Sequence, residues 1–415
     1  MTRPASGGAT DATRPMRVLM VTKLFPNAVD PLASIYNREQ YGALGRICDV
    51  EVLGLIPSFP GAKLFARWWK VGRLAAAPRF ETIAGLPVHH PRMLFLPGVH
   101  TLGPPMVAAA LLREIRARRS RTDVIIGSCA YPEGVACILL GRLLGIPTAL
   151  QALGSDLNVT PKLWGPRQWL SRTLPHAGRM VAVSRPLADI ALELGAPPER
   201  TVVIPNGVDK TRFFPRDPVA CRRELGLPTD GRWIVYVGEL YESKGVVDLL
   251  SAFERLAPEV PDAKLAVVGP GPELGRVQAF ADKFPGRVIA AGGRPHDQVA
   301  LFMGAANVCT LPSWREGTPN VVIEALASGR RVVSTRVGGI PDVIRRPEQG
   351  ELVEPQDIPA LAAALTRALD TPADPYALAA DLPSWADSAR LLHDTLAALV
   401  VEAGGKAEPA AAAAS

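Results

Sequence analysis

Apolar residues in this chain gather in short runs, at 17–22, 50–55, 123–126, 147–152, 180–184, 201–205, 233–237, 263–268 and 332–335, with a further run opening at 288. Runs of this length, bounded by Gly, Pro and polar residues, predict strands buried on both faces of a parallel sheet. Between them the apolar positions recur at helical spacing, as at 34–46, 111–119 and 318–328. Strand and helix therefore alternate, which predicts an α/β protein with doubly wound parallel sheets. The pattern restarts after Asn206-Gly207, a turn-forming pair, so two Rossmann-like domains are expected, over 16–205 and 206–383. A last helix is expected over 384–403, and the stretches 1–15 and 404–415 read as disordered tails. Residues 59–105 show no regular pattern and are expected to form a long irregular insertion containing the solvated loop histidines His89 and His90.

The most informative stretch runs from Cys309 to Ile344. A strand end breaks at Pro312-Ser313, and a helix follows with apolar Val321, Val322, Ala325 and Leu326 on one face. Thr318 suits the N-cap, Pro319 the first helical position and Gly329 the stop. A helix N-terminus aimed at the mouth of a parallel sheet favours phosphate. Gly317 would let a ligand approach the backbone closely. Glu316 in the loop and Glu324 eight residues later can bond hydroxyls at two points along a sugar–diphosphate–ribose ligand.

Composition narrows the class. At 415 residues, 48% apolar and 21% charged, the chain matches a globular α/β protein with two cores. No apolar run approaches the roughly 20 residues of a membrane span. The N-terminus lacks the apolar core of a secretory signal, and the five cysteines show no C-x-x-C spacing, which suits a reducing cytoplasm. Residues 16–205 carry 22 Lys/Arg against 12 Asp/Glu, whereas 206–415 carry 22 against 27. An anionic partner is therefore expected on the first half. Nucleic acid is not expected, since no helix-turn-helix, zinc-finger or aromatic RNA-binding pattern is present. The glycines at 269, 271 and 275 miss the G-x-G-x-x-G spacing of a dinucleotide site by one residue. No D-x-D or Cys/His cluster suggests a metal, and no G-x-S-x-G elbow suggests a serine hydrolase.

The run from Glu316 to Glu324 resembles the E-x7-E region of the retaining glycosyltransferases of family 4, which have the GT-B fold of two Rossmann-like domains facing a central cleft. Other segments agree in order. Leu153-Gly154-Ser155-Asp156 is similar to the family's His-Gly-Ser-Asp loop, with Leu153 in the His position. Gly238-Glu239-Leu240 followed by Lys244 is similar to its phosphate-binding loop, with Glu239 where relatives often have Arg. The pattern Phe25-Pro26-Asn27 with Gln40 looks like the branch associated with teichuronic acid and exopolysaccharide assembly, although Pro31-Leu32-Ala33-Ser34 replaces the usual Gly-Gly loop.

The resemblance implies a metal-independent, cofactor-free hexosyltransferase with Glu316, Lys244 and Asp156 at the reacting centre. It places the nucleotide-diphosphate sugar on Gly238, Lys244, Arg294, Glu316, Gly317, Thr318, Asn320 and Glu324, and sends the last helix back across to the first domain. The expected acceptor is a saccharide or a polyprenyl-diphosphate-linked saccharide. Alternatives are a non-catalytic sugar-nucleotide-binding subunit and a GT-B-fold epimerase. Interleaved Trp and cations at 65–73, with Arg113, Arg116, Arg118, Arg119 and Arg121, suit an anionic membrane surface, so a peripheral position on the inner face of the cytoplasmic membrane is expected.

Overall fold

The structure, a computed structural model, describes residues 14–31, 33–59, 70–94 and 100–404. The Trp-rich stretch up to residue 69 lies outside them, as do both expected tails apart from residues 14, 15 and 404. Residue 14 is not loose: Arg14 and Arg17 share the Asp123 carboxylate, each at 2.9 Å.

The first half supplies strands β1 (Arg17–Thr22), β2 (Asp49–Gly54), β3 (Ile56–Ser58), β4 (Phe80–Ile83), β5 (Leu86–His89), β6 (Arg92–Leu94), β7 (Val124–Ser128), β8 (Thr148–Ala152), β9 (Arg179–Ala182) and β10 (Thr201–Val203). Eight of these form one sheet in the order β10-β9-β8-β7-β1-β2-β5-β4, while β3 and β6 pair separately. The second half supplies β11 (Arg232–Val237), β12 (Ala263–Val268), β13 (Val288–Gly292), β14 (Val308–Leu311), β15 (Arg331–Thr335) and β16 (Gly350–Val353), in the order β13-β12-β11-β14-β15-β16. All pairs in this second sheet are parallel. Burial explains why: every residue of β8 and of β12 is buried, Gln151 and Lys264 included, as strands covered by helices on both faces require.

Each sheet reverses its strand order once, between β1 and β7 in the first and between β11 and β14 in the second. Successive connections diverge to opposite faces there, leaving a crevice at the carboxyl ends of the strands.

The helix Trp385–Glu402 starts at a capping box, in which Ser384 Oγ accepts from Asp387 N at 3.2 Å and Asp387 accepts from Ser384 N at 2.9 Å. Its Leu392, Leu396 and Leu399 pack into the core beneath β1 and β2, so the chain's last helix completes the first sheet's core. Gln40 belongs to this junction. Its amide donates to Ser388 Oγ at 3.0 Å and accepts from Gln151 at 2.7 Å, and Gln151 in turn accepts from Tyr41 Oη at 2.7 Å.

Three expectations for the first half need correction. The insertion at 59–105 is not irregular throughout, since β4 and β5 form an antiparallel hairpin that extends the large sheet. Its turn has positive φ at Ala84 and Gly85, and its strands are too short for alternation to show in sequence. His90 is buried rather than solvated, bonded to Gly54 O at 2.7 Å and Glu81 Oε1 at 2.6 Å. His89 stacks on Phe80 at 4.1 Å. Finally, Arg118 does not join the exposed basic cluster: it is buried between Glu51 and Glu114, 2.6 Å from each.

Candidate active site

The second sheet's switch point assembles its polar residues from two loops far apart in sequence. Lys244 follows β11 and Glu316 follows β14, and because these strands are neighbours the side chains meet at 2.7 Å. Ser313 Oγ donates to the same Glu316 oxygen at 2.7 Å. The loops are fastened to each other: Trp314 N donates to Ser243 O at 2.9 Å, and its indole N–H donates to Asp248 at 2.6 Å. Gly245 has φ +71, and a Cβ there would fall 1.8 Å from Pro312 O, so only glycine lets the loops approach this closely. The Glu316 side chain is 10% exposed and that of Lys244 30%, leaving the ammonium as the more accessible partner.

The helix Asn320–Ala327 leads away from this pair and carries Glu324. Burial pushes the Glu324 carboxyl up to about 7, with Arg212 opposing. Facing it is Tyr36, from the helix Ile35–Leu44 of the first half, whose phenol is raised by burial and then by Glu324, and lowered by a hydrogen bond with Asn320. Glu316 and Glu239 raise the same phenol further, while the Tyr36 residue as a whole is 49% exposed.

Two parts of the expected helix start differ. Thr318 does not cap the helix; its hydroxyl donates to Val183 O of the first half at 2.9 Å. Gly317 is needed for approach, but what approaches is protein: a Cβ there would lie 2.7 Å from Leu153 O and 2.9 Å from the Gly154 Cα. Asn320 is held from the segment that crosses between the units, accepting from the Asn206 amide at 2.9 Å.

Asp156 follows β8. It is buried, and its carboxylate accepts from Ala130 N and Gly154 N at 2.7 Å and from Leu153 N at 3.1 Å. Those amides fix the loop around Asp156, which also lines a cavity together with Tyr36, Ser155, Thr318 and Asn320. Gly238 directly follows β11, at the same end of the strand as Lys244. Arg294 follows β13, at the sheet's edge and two strands from β11; it is exposed and donates to Ala291 O at 2.9 Å. The fold thus groups Lys244, Glu316, Gly317, Thr318, Asn320 and Glu324, and holds Arg294 apart.

Sequence reading missed a second Lys–Glu pair. At the first sheet's switch point, Lys23 follows β1 and Glu133 follows β7, and they stand 3.7 Å apart. Glu133 is buried and its carboxyl is raised by burial, with Lys23 pulling the other way. Sequence gives no signal for this pair, because 110 positions separate two residues that only strand order makes neighbours. Among the described residues no group of three or more His, Cys, Asp or Glu is arranged to hold a metal.

Comparison with known proteins identifies the architecture. Residues 231–371 match the family model described as glycosyl transferases group 1, and residues 34–207 match the glycosyl transferase 4-like domain. A Bacillus subtilis protein named as a teichuronic acid biosynthesis glycosyltransferase, TuaC, is 31% identical over 85% of this chain and 89% of its own. The chain belongs to this glycosyltransferase family. The N-acetyl-alpha-D-glucosaminyl L-malate synthase of Bacillus anthracis is 28% identical over 62% of this glycosyltransferase and 68% of itself. Among solved structures, Anabaena Alr3699/HepE in complex with UDP superposes with a TM-score of 0.65 at 17% identity, covering 92% of this chain and all of that one. A sucrose-phosphate synthase from Thermosynechococcus elongatus gives 0.65 at 22% identity over 94% and 97%. The glycosyltransferase therefore has the GT-B fold, with two Rossmann-like units about a cleft.

Within that cleft lies a cavity of about 200 Å³, lined from the first unit by Tyr36, Asn37 and Ser155 and from the second by Thr318 and Asn320. A larger groove of about 450 Å³ lies beside the crossing segments Pro205-Asn206 and Leu382-Pro383. Arg346 and Asp381 of its lining pair at 3.1 Å, and it carries none of the candidate donor residues.

Proposed function

We propose that this glycosyltransferase moves a hexosyl group from a nucleotide-diphosphate sugar to a saccharide or polyprenyl-diphosphate-linked saccharide, with retention at the anomeric carbon and without a metal. The observation that carries the reading is the Lys244–Glu316 pair at the second sheet's switch point, 2.7 Å apart and at the rim of the cleft. Departure of a nucleoside diphosphate builds negative charge on its phosphates, and a preorganised cation is worth most in such a partly desolvated site. Lys244 supplies that cation, and Glu316, fixed by Lys244 and Ser313, keeps a second oxygen for the donor sugar's hydroxyls. Glu324 lies further along and meets the ribose. The donor class is supported by the UDP and UDP-glucose named in the Anabaena Alr3699/HepE structures, and the pathway, cell-surface polysaccharide assembly, by the name of the Bacillus subtilis relative. Retention, with the leaving phosphate taking the acceptor's proton, and metal independence rest on the resemblance to family 4. A position on the inner face of the cytoplasmic membrane follows from a lipid-linked acceptor. No described helix is long and apolar enough to cross a membrane.

The test is to incubate the protein with a panel of nucleotide sugars and follow release of nucleoside diphosphate. Slow hydrolysis or transfer supports the reading. One feature favours a non-catalytic sugar-nucleotide-binding subunit: Glu239 stands exposed where relatives often have Arg, placing a carboxylate near the phosphates. Binding without turnover in the same assay would select that subunit, and an isomerised sugar would select an epimerase.

A further inference from the structure

The structure exposes an apolar tip at the lip of the cleft that no part of the active site uses. Trp164 is 76% exposed, Leu163 47% and Val159 44%, all within one turn that enters the helix Trp164–Thr173. Leu102, 50% exposed, lies beside them, since Trp169 of that helix donates its indole N–H to Thr101 O at 2.8 Å. An indole at the first position of a helix, facing water with aliphatic neighbours, is costly surface for a chain that meets no partner there.

Charge says which partner fits. From residue 157 to 188 the chain has no Asp or Glu, but it has Lys162, Arg167, Arg172, Arg179 and Arg185. Lys162, Arg167 and Arg172 are exposed around the apolar turn. Trp flanked by cations matches the anionic headgroup layer of a bilayer, where the indole sits at the interface and the cations meet lipid phosphates. The tip is also tied to the chemistry. It continues directly from the loop that Asp156 closes, and Asn158 donates its amide to Glu316 O at 3.0 Å.

We propose that the turn from Val159 to Trp164 docks this protein on an anionic phospholipid surface, setting the cleft's lip at the height of a lipid-linked acceptor's sugar. The proposal rests on the lipid-linked acceptor of the proposed function only for its purpose; the docking is measured without turnover. It also differs from docking through the Trp-rich stretch at 65–73, and variants separate the two.

The experiment mixes the full chain with vesicles of phosphatidylcholine alone or with phosphatidylglycerol, some carrying bromine on their acyl chains. Co-sedimentation should require the anionic lipid and weaken with salt. Lys162→Glu with Arg167→Glu should weaken partitioning roughly tenfold or more, since each cation near such a surface contributes appreciably. Trp164→Leu should keep binding but lose most of the bromine quenching of Trp fluorescence. Binding of a nucleotide sugar by calorimetry should match wild type in every variant, which shows that each is folded. No anionic-vesicle binding, or binding and quenching untouched by these changes, would overturn the proposal. So would self-association abolished by Trp164→Glu, which would assign the tip to a second copy. If the vesicle results hold but no sugar is transferred, the proposed function fails and the docking surface stands.

Discussion

At the residue scale, the site rests on side chains whose surroundings set their charge. Lys244→Ala removes the ammonium nearest the expected diphosphate and also strips Glu316 of its ion pair, leaving Ser313 as its side-chain partner. A charge-assisted contact of this kind is worth about 1.5–3 kcal/mol, so kcat/KM should fall roughly 10- to 100-fold with little change in Tm. An unchanged rate would show that another cation holds the phosphates. Glu316→Gln and Glu324→Gln should differ in kind. On the proposed roles the first should lower kcat, since the sugar hydroxyls it would hold lie beside the bond being broken, and the second should raise KM, since the ribose it would hold is unchanged by reaction. Steady-state kinetics in which both parameters move alike for both variants would reject that division. Glu324 also makes a stability prediction. Its carboxyl stands at about 7 in the fold against an ordinary 4.5, so between those values the folded chain holds a proton that the unfolded chain has released. Stability from this group is therefore lost as pH rises through that window. Melting curves at about pH 5 and about pH 8 should show wild type losing stability relative to Glu324→Gln. Parallel curves would mean that the carboxylate is solvated in the free protein.

At the scale of the elements, Asp156 is a motif residue that also holds its own loop. Three backbone amides point at its carboxylate, which is why a buried acid whose pKa burial raises is nevertheless held in place. Asp156→Asn keeps the shape but offers one acceptor oxygen where there were two. It should cost roughly 1–3 kcal/mol of stability, read as a lower midpoint in denaturant unfolding, with loss of activity only in proportion to the folded fraction. A variant that melts like wild type but turns over far more slowly would place Asp156 at the reacting centre. The same scale explains the hairpin of β4 and β5. Their short strands carry little periodicity, and they are specified instead by positive φ at the turn and by the buried His90 that joins Gly54 to Glu81.

At the scale of the whole molecule, contacts across the cleft hold the loop 316–320 and Asp342 against the first unit. Asn158 donates to Glu316 O at 3.0 Å, Thr318 to Val183 O at 2.9 Å, and Arg185 N to Asp342 at 2.7 Å. Each is a small net gain that counts only while the units are together. Asn158→Ala with Thr318→Val should therefore raise the radius of gyration of the free protein in small-angle scattering, and a nucleotide sugar should restore it. Scattering identical to wild type would mean that the crossing segments at 205–208 and 382–384 alone set the closure. What the chain's linear pattern determined was the alternation of buried strands and helices, and with it two parallel sheets and the loop–helix unit carrying Glu316 and Glu324. Those follow from local burial and turn chemistry, which are written residue by residue. Tertiary structure alone decided which loops meet. Lys244 reaches Glu316 because β11 lies beside β14, Lys23 reaches Glu133 because β1 lies beside β7, and Gly317 is filled by Leu153 and Gly154 rather than left open. Strand order and domain closure are long-range choices, made by packing the whole apolar surface at once, and no short window of sequence contains them.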